Sequence, residues 1–280
     1  MGLKICIVGL GLMGASLAGA LKGFKNADIT GIDVSDVVTK TALNNGIVSM
    51  ASTDIHAVAG ADLVIFCVYA HHIPALLKEC AGDIKQGAII SDICGVKTSL
   101  YGKIMPLLPD SASYVGLHPM TGKERDGIDN ATPDLYRGSS MLICPTKRST
   151  ASAKALMTEL AEYIGCARIK QCDYERHDAI IAYTSDLMHI SAAGLCINYP
   201  SDMDLSFAAG AFRDCTRIAD INAEAWTELL LDNGENVLHS LDEFIAGLAE
   251  IRAAIAKNDS DELKRLLTLA GDNKREMLKR

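Results

Sequence analysis

His118, in the run Gly116-Leu117-His118-Pro119-Met120-Thr121-Gly122, is the residue in this chain best placed to move a proton. An imidazole gains and loses a proton near neutral pH. Pro119 disfavours helix at the residue before it, which holds His118 extended. Most histidines are structural, and that reading is taken for His56, His71, His72 and His239. His118 differs because it lies at the end of an apolar run that reads as a strand. A second pattern is cationic. Arg213 and Arg217 stand one helical turn apart, with Asp214 placed to orient Arg217. Planar guanidinium groups are shaped to grip a carboxylate, although a solvated helix face shows the same spacing. His177, Asp178, Asp186 and His189 fall on one long helical stretch, but their spacing is not that of a metal-ligand set, so no metal is expected.

The third pattern is Gly9-Leu10-Gly11-Leu12-Met13-Gly14, a G-x-G-x-x-G loop. The first glycine permits a tight turn, the second lets a pyrophosphate approach the backbone, and the third lets helix and strand pack closely. The helix that follows offers free N–H groups and a positive dipole end to phosphates. Asp33 ends the next strand, where a carboxylate accepts from ribose hydroxyls and repels a 2′-phosphate. Val34 and Ser35 follow it, with no arginine, which favours NAD over NADP. Leu10, Leu12 and Met13 in the loop, and Val68 at the end of a later strand, complete the expected cofactor-binding set.

These residues need elements to hold them. Apolar runs at 3–8, 29–33, 62–68, 88–92, 113–117, 140–144 and 167–171 read as strands, and helical stretches, including 149–165, separate several of them. Strands alternating with helices imply a mainly parallel sheet covered on both faces, with ligands beyond the carboxyl ends of the strands. The run Ser91-Asp92-Ile93-Cys94-Gly95-Val96-Lys97 and the His118 run both fall there. From Asp173 onward no strand is expected. Helices are expected over 174–198, 205–219, 223–256 and 259–278, with Pro200 ending the first and Asp259 or Ser260 capping the last. The expected division is therefore residues 1–172 as a dinucleotide-binding α/β domain and 173–280 as an all-helical domain. Apolar residues at helical spacing, such as Leu238, Leu241, Phe244, Ile245 and Leu248, point to a homodimer made through the helical part.

Composition narrows the classes. Hydrophobic residues are 49% and charged residues 22%, enough for a sizeable core. A formal charge of -8 argues against nucleic acid as a partner. Nine cysteines without C-x-x-C spacing read as reduced thiols in a cytoplasmic protein. The start of the chain reads as a strand rather than a signal peptide, and no apolar run looks long enough to span a membrane.

At this point the chain resembles a known family, the prephenate/arogenate dehydrogenases, over nearly its whole length. The stretches that carry the resemblance are GLGLMGASLA, SDICGVK, GLHPMTGKERDGI, ERHDAIIAYTSDLMHISAA and GAFRDCTRIADINAEAWTELLLDNGENV. The resemblance implies a Rossmann-type dinucleotide-binding domain followed by an all-helical dimerisation domain. It implies a reaction in which hydride passes from the hydroxyl-bearing ring carbon of prephenate to NAD while CO2 leaves, a step of tyrosine biosynthesis. Arogenate is the alternative substrate. By position, the resemblance makes His118 the base on the substrate hydroxyl and Arg217 the binder of a substrate carboxylate. Asp214 matches its acidic neighbour, and Arg213 or Lys123 would add positive charge. His189 matches a pocket histidine linked with tyrosine inhibition. Glu124 and Asp178 match polar residues at the pocket mouth, and Trp226 an aromatic that reaches the partner subunit's site. Gly95 stands where the family often has serine, so a hydroxyl that would help hold His118 is missing, and water or Cys94 is its expected replacement. Asp186 stands where some members have histidine, and a carboxylate there would favour the amino group of arogenate. With no separate regulatory domain expected, tyrosine feedback would act at the active site. A rival reading is a β-hydroxyacid dehydrogenase, against which the 174–198 helix has no lysine. A catalytically idle NAD-sensing protein is the other, but it has no use for His118 and Arg217.

Overall fold

The computed structural model describes residues 2–122 and 125–279. Lys4–Val8 forms β1, whose last four residues are buried because it runs through the middle of a sheet covered on both faces. The remaining strands are β2 (Asp28–Ile32), β3 (Met50–Ser52), β4 (Leu63–Phe66), β5 (Ile89–Asp92), β6 (Ser113–Met120), β7 (Ser140–Pro145) and β8 (Arg168–Gln171). Among the described residues they form one sheet in the order β3-β2-β1-β4-β5-β6-β7-β8. All neighbours are parallel except β6 and β7. Helices α1 (Leu12–Ala20) and α5 (Ala151–Tyr163) cover one face through Leu17, Ala18, Met157 and Leu160. Helices α3 (Ile73–Cys80) and α4 (Thr98–Ile104) cover the other through Leu77, Cys80, Leu100 and Ile104. Helix α2 (Asp36–Asn44) begins at Ser35, whose hydroxyl accepts from Val38 N–H.

Two features of the sheet depart from expectation. Strand β3 was not expected, since three residues reading Met-Ala-Ser give no apolar run. Strand β6 continues past residue 117 to Met120, because β7 pairs with it antiparallel, Leu142 opposite His118. His118 therefore stands inside a hydrogen-bonded ladder rather than beyond a strand end. That gives its side chain a fixed origin.

The second half is helical. Asp173 accepts from Arg176 N–H at 2.8 Å and opens α6 (Tyr174–Ile181). A π-helical turn at Ala182–Asp186 leads directly into α7 (Leu187–Ile197). The continuous helix Tyr174–Ile197 is, contrary to expectation, long and apolar enough by composition to cross a membrane, with a mean hydropathy of 1.4. It nevertheless carries buried His177, Asp178 and Asp186. The expected helix 205–219 is shorter, with only α8 (Gly210–Thr216) regular and Arg217–Ala219 a 3-10 turn. The expected helix 223–256 is two, α9 (Ala223–Asp232) and α10 (Gly234–Ala256). The break has a cause. Asn233 turns inward and donates to the Asp178 carbonyl and to Asp186 Oδ2, both at 3.0 Å, which ties the bend to the α6–α7 helix. Helix α11 (Ser260–Met277) is capped by Asp259, which accepts from Glu262 N–H at 3.0 Å. Ile180, Tyr183, Met188 and Leu195 on α6–α7 and Leu238, Ile245 and Leu248 on α10 are exposed apolar residues.

Candidate active site

A cleft of about 610 Å³ lies between the carboxyl ends of the central strands and helix α9. Its wall brings together Gly9, Gly11, Leu12, Met13, Asp33, Val68, Gly95, His118 and Trp226, all named from the sequence. Pockets for small ligands are commonly a few hundred to about 1,000 Å³.

The glycine loop is built as its motif requires. Gly9 has φ +94, and a Cβ there would lie 2.6 Å from the Cys67 carbonyl. A Cβ on Gly14 would lie 1.9 Å from the Gly9 carbonyl, so α1 reaches the loop only without a side chain. A Cβ on Gly11 would meet nothing within 4 Å, because Gly11 faces the open cleft. That is the surface a pyrophosphate would occupy at the start of α1. Asp33 Oδ2 accepts from Leu10 N–H and Oδ1 from Ser35 N–H, each at 2.9 Å, which fixes the carboxylate at the rim. Leu10 itself is buried and contributes its backbone to this arrangement. The loop, the free helix start and the rim carboxylate fit a dinucleotide.

His118 lies at the cleft floor. Its Nδ1 is 2.9 Å from His177 Nε2, and His177 Nδ1 is 2.7 Å from Asp178 Oδ1. Asp178 also accepts from the backbone N–H of Lys97 at 2.9 Å and of Thr98 at 2.7 Å, at the start of α4. The chain of partners assigns the tautomers. A carboxylate only accepts, so His177 Nδ1 carries the proton and His177 Nε2 accepts from His118 Nδ1. His118 Nε2 is left unprotonated. A Cβ on Gly95 would lie 3.9 Å from that nitrogen. Burial, with His177 and Lys97 adding to it, holds His118 well below the ordinary histidine value, and Asp178 pulls the other way. Asp178 is subject to burial, which raises it, but the hydrogen bonds from His177, Thr98 and Lys97 prevail and hold it below the usual carboxylate value. The floor thus presents a neutral imidazole whose lone pair faces the cleft, an arrangement suited to taking a proton.

Several expectations are corrected. Asp178 is not at the pocket mouth: it is 1% exposed and anchors the histidine pair. Cys94 does not replace the missing serine, since its thiol points to the Val68 carbonyl at 3.9 Å. The support for His118 comes instead from His177, and Leu229 fills the space beside Gly95, 3.1 Å from where a Cβ would be. Trp226 lines the cleft, as its place among the substrate-side residues implies, and its ring lies tilted against His189 with centroids 3.7 Å apart. Asp186 does not line the cleft. It is 2% exposed, paired with Asn233, and pushed up to about 6, first by burial and then by Asp178. Asp214 is exposed on α8 and is not part of the cleft wall. Arg217 sits close enough to His189 to help lower it, although burial is the larger cause. Glu124 and Lys123 lie outside the described residues. His72, taken as structural, lines the cleft. His71 pairs with Glu228 on α9 at 2.7 Å, and Asn222 donates to Asp126 at 3.1 Å, so both contacts bridge the two halves at the cleft mouth.

The residues missed from sequence are His177, Asp178 in its actual role, and Leu229. Adjacent His and Asp at the start of the helical half were a visible signal, but nothing in the spacing paired them with a strand residue far upstream.

An α/β dinucleotide-binding half joined to a helical half, with a neutral histidine at the shared cleft, defines a nucleotide-dependent oxidoreductase architecture. Comparison with known proteins agrees. Residues 17–170 match the nucleotide-binding domain of prephenate dehydrogenase, and residues 173–269 match its dimerization domain. The chain belongs to the prephenate dehydrogenase family. It is 33% identical to the cyclohexadienyl dehydrogenase of Zymomonas mobilis, covering 92% of this chain and 90% of that protein. It is 30% identical to the prephenate dehydrogenase of Bacillus subtilis, covering 96% and 74%. Its fold matches a prephenate dehydrogenase from A. aeolicus, solved with hydroxyphenyl propionate and NAD+, at a TM-score of 0.88. That match has 26% identity and covers 99% of each chain.

Proposed function

We propose that this chain is an NAD-dependent prephenate dehydrogenase that converts prephenate to 4-hydroxyphenylpyruvate and CO2. The observation that carries this reading is the His118–His177–Asp178 chain at the floor of the cleft that the glycine loop also lines. Bound NAD would supply the hydride acceptor, held at the glycine loop with Asp33 on its ribose. Every other step falls to side chains of this protein. His118 Nε2 takes the proton of the ring hydroxyl as hydride leaves the same carbon. Such general-base help is typically worth roughly 100- to 10,000-fold. His177 and Asp178 keep the accepting nitrogen bare and share the positive charge that develops. Loss of CO2 makes the ring aromatic, and His118 returns its proton to the phenolate oxygen. Because aromatisation drives the reaction, positioning the ring against the nicotinamide is the protein's main task. Arg217, beside His189 and the Trp226 ring, is assigned to a substrate carboxylate.

Arogenate is a second substrate to be tested, because the Zymomonas mobilis relative is named a cyclohexadienyl dehydrogenase. Purified protein is mixed with NAD and prephenate, then with NAD and arogenate, and NADH absorbance is followed. Turnover of prephenate with the higher kcat/KM supports the reading; silence on both substrates, with NAD still bound, sinks it. The protein is read as a cytoplasmic homodimer, joined through the exposed apolar residues of α6–α7 and α10. Sedimentation at the mass of one chain would reject the dimer.

A further inference from the structure

Lys97 is a buried cation that the chemistry above does not use. Its side chain is 0% exposed. The ammonium donates to Asp92 Oδ1 and, at 2.6 Å, to the carbonyl of Leu117, the residue directly before His118. Its backbone N–H donates to Asp178. Asp92 in turn accepts from Cys94 N–H at 2.8 Å and from the Tyr114 hydroxyl. One residue therefore joins β5 and the strand carrying His118 through its ammonium, and the helix carrying His177 through its backbone N–H. A buried ion pair is a costly way to hold a fold, since apolar residues of similar volume often do as well or better. Its presence under the histidine pair calls for another reason.

Charge supplies that reason. The groups facing His118 are His177 and Asp178 from α6 and Lys97 from the loop before α4. Those facing Lys97 are Asp92, Cys94 and Cys144, with Tyr114 and Tyr101 around Asp92. Burial works to strip the Lys97 proton, and Asp92, with the two thiols behind it, outweighs burial and keeps the ammonium charged. With Asp92 and Asp178 ionised and Lys97 charged, the resting cluster carries one net negative charge. It becomes neutral when His118 accepts a proton. Without Lys97 the resting cluster would carry two negative charges, and one of the three influences that keep His118 neutral, beside burial and His177, would be gone.

We infer that Lys97 is a positioning residue of this reaction: it tethers the strand that carries His118 and balances the buried carboxylates so that the imidazole meets substrate neutral. This rests on the reading of His118 as the base. The test is a 15N-histidine NMR titration of His118 beside the pH profile of kcat/KM, in wild type, Lys97→Met and Asp92→Asn/Lys97→Met. In wild type His118 titrates below 6.5. In Lys97→Met its midpoint rises by about one pH unit or more, the acid limb of kcat/KM moves up with it, and kcat at pH 7 falls roughly 10- to 100-fold. NAD affinity stays within about threefold. The double variant, which removes both charges and keeps the fold if the single variant does not, returns His118 close to its wild-type titration. Its kcat stays down about tenfold, because the tether to Leu117 is gone. A wild-type midpoint above 6.5 overturns the inference, as does a folded variant with unchanged titration and kcat. Wild type that is silent on prephenate and arogenate would reject the proposed function, while the titration would still read what Lys97 does to His118.

Discussion

His177 Nε2 stands 2.9 Å from His118 Nδ1, and this hydrogen bond ties the sheet to the helical half at the floor of the cleft, beside those from the Lys97 and Thr98 amides to Asp178. It leaves His118 a single nitrogen with which to meet substrate. His177→Phe keeps a ring of similar size and removes the acceptor. The expected result is a kcat lowered about 10- to 100-fold with KM within about threefold, while His118→Asn loses at least about 100-fold. Steady-state NADH formation from prephenate measures both. A His177→Phe enzyme with wild-type kcat would mean that the relay does not orient the base.

The acid limb of the kcat/KM profile should lie below pH 6.5. His118 must be neutral to accept a proton, and burial, His177 and Lys97 depress its folded-state value. Activity is therefore retained above that value and lost as pH falls through it. The same sign applies to stability. A depressed histidine contributes stability that is present above pH 6.5, about its unfolded value, and is lost as pH falls through the folded value. Thermal unfolding of His118→Asn should thus be less sensitive to acid than that of wild type. A limb centred above pH 6.5 contradicts the assignment.

Gly11 and Gly14 should answer differently to alanine. A Cβ at 14 collides with the Gly9 carbonyl, so Gly14→Ala lowers both the melting temperature and NAD affinity. A Cβ at 11 meets no protein atom within 4 Å, so Gly11→Ala keeps its melting temperature and loses NAD affinity, about tenfold or more, by crowding the pyrophosphate. Nucleotide titration by fluorescence, with a thermal melt of each variant, separates the two. Unchanged affinity in Gly11→Ala would move the pyrophosphate elsewhere.

Asp186→Asn should stabilise the protein above pH 6. The carboxyl is pushed up to about 6 by burial and by Asp178, so its protonated form is the one the fold favours. The stability it contributes is present below pH 4, about its unfolded value, and is lost as pH rises through about 6. Asparagine keeps an oxygen for Asn233 and carries no charge at any pH. A rise in melting temperature of about 3–6 °C at pH 8, vanishing below pH 4, is expected. An equal rise at both pH values would assign the effect to packing rather than charge.

The sequence by itself determined the parts whose rules are local. The order of strands and helices, the glycine loop with Asp33, and His118 set extended before Pro119 could be read because periodicity, turn geometry and φ/ψ limits act within a few residues. Three-residue β3 escaped, as it buries too little to leave a pattern. The bend at Asn233 escaped because its cause lies in Asp178 and Asp186 on another helix. What only the tertiary structure decided was which polar groups meet away from water. Asp178 read as a residue of the pocket mouth, Asp186 as a pocket residue and Lys97 as the end of a motif. Folding buried all three, and buried charge must find a partner wherever the chain brings one. Some of those partners are near, Asp92 for Lys97 and His177 for Asp178, but the contacts that build the site are distant in sequence: Asp178 receives the amide of Lys97, Lys97 holds the carbonyl beside His118, and His177 fixes the tautomer of His118. The chemistry of the imidazole was legible from its residue type; the atom it presents to substrate was set by packing of the helical half against the sheet.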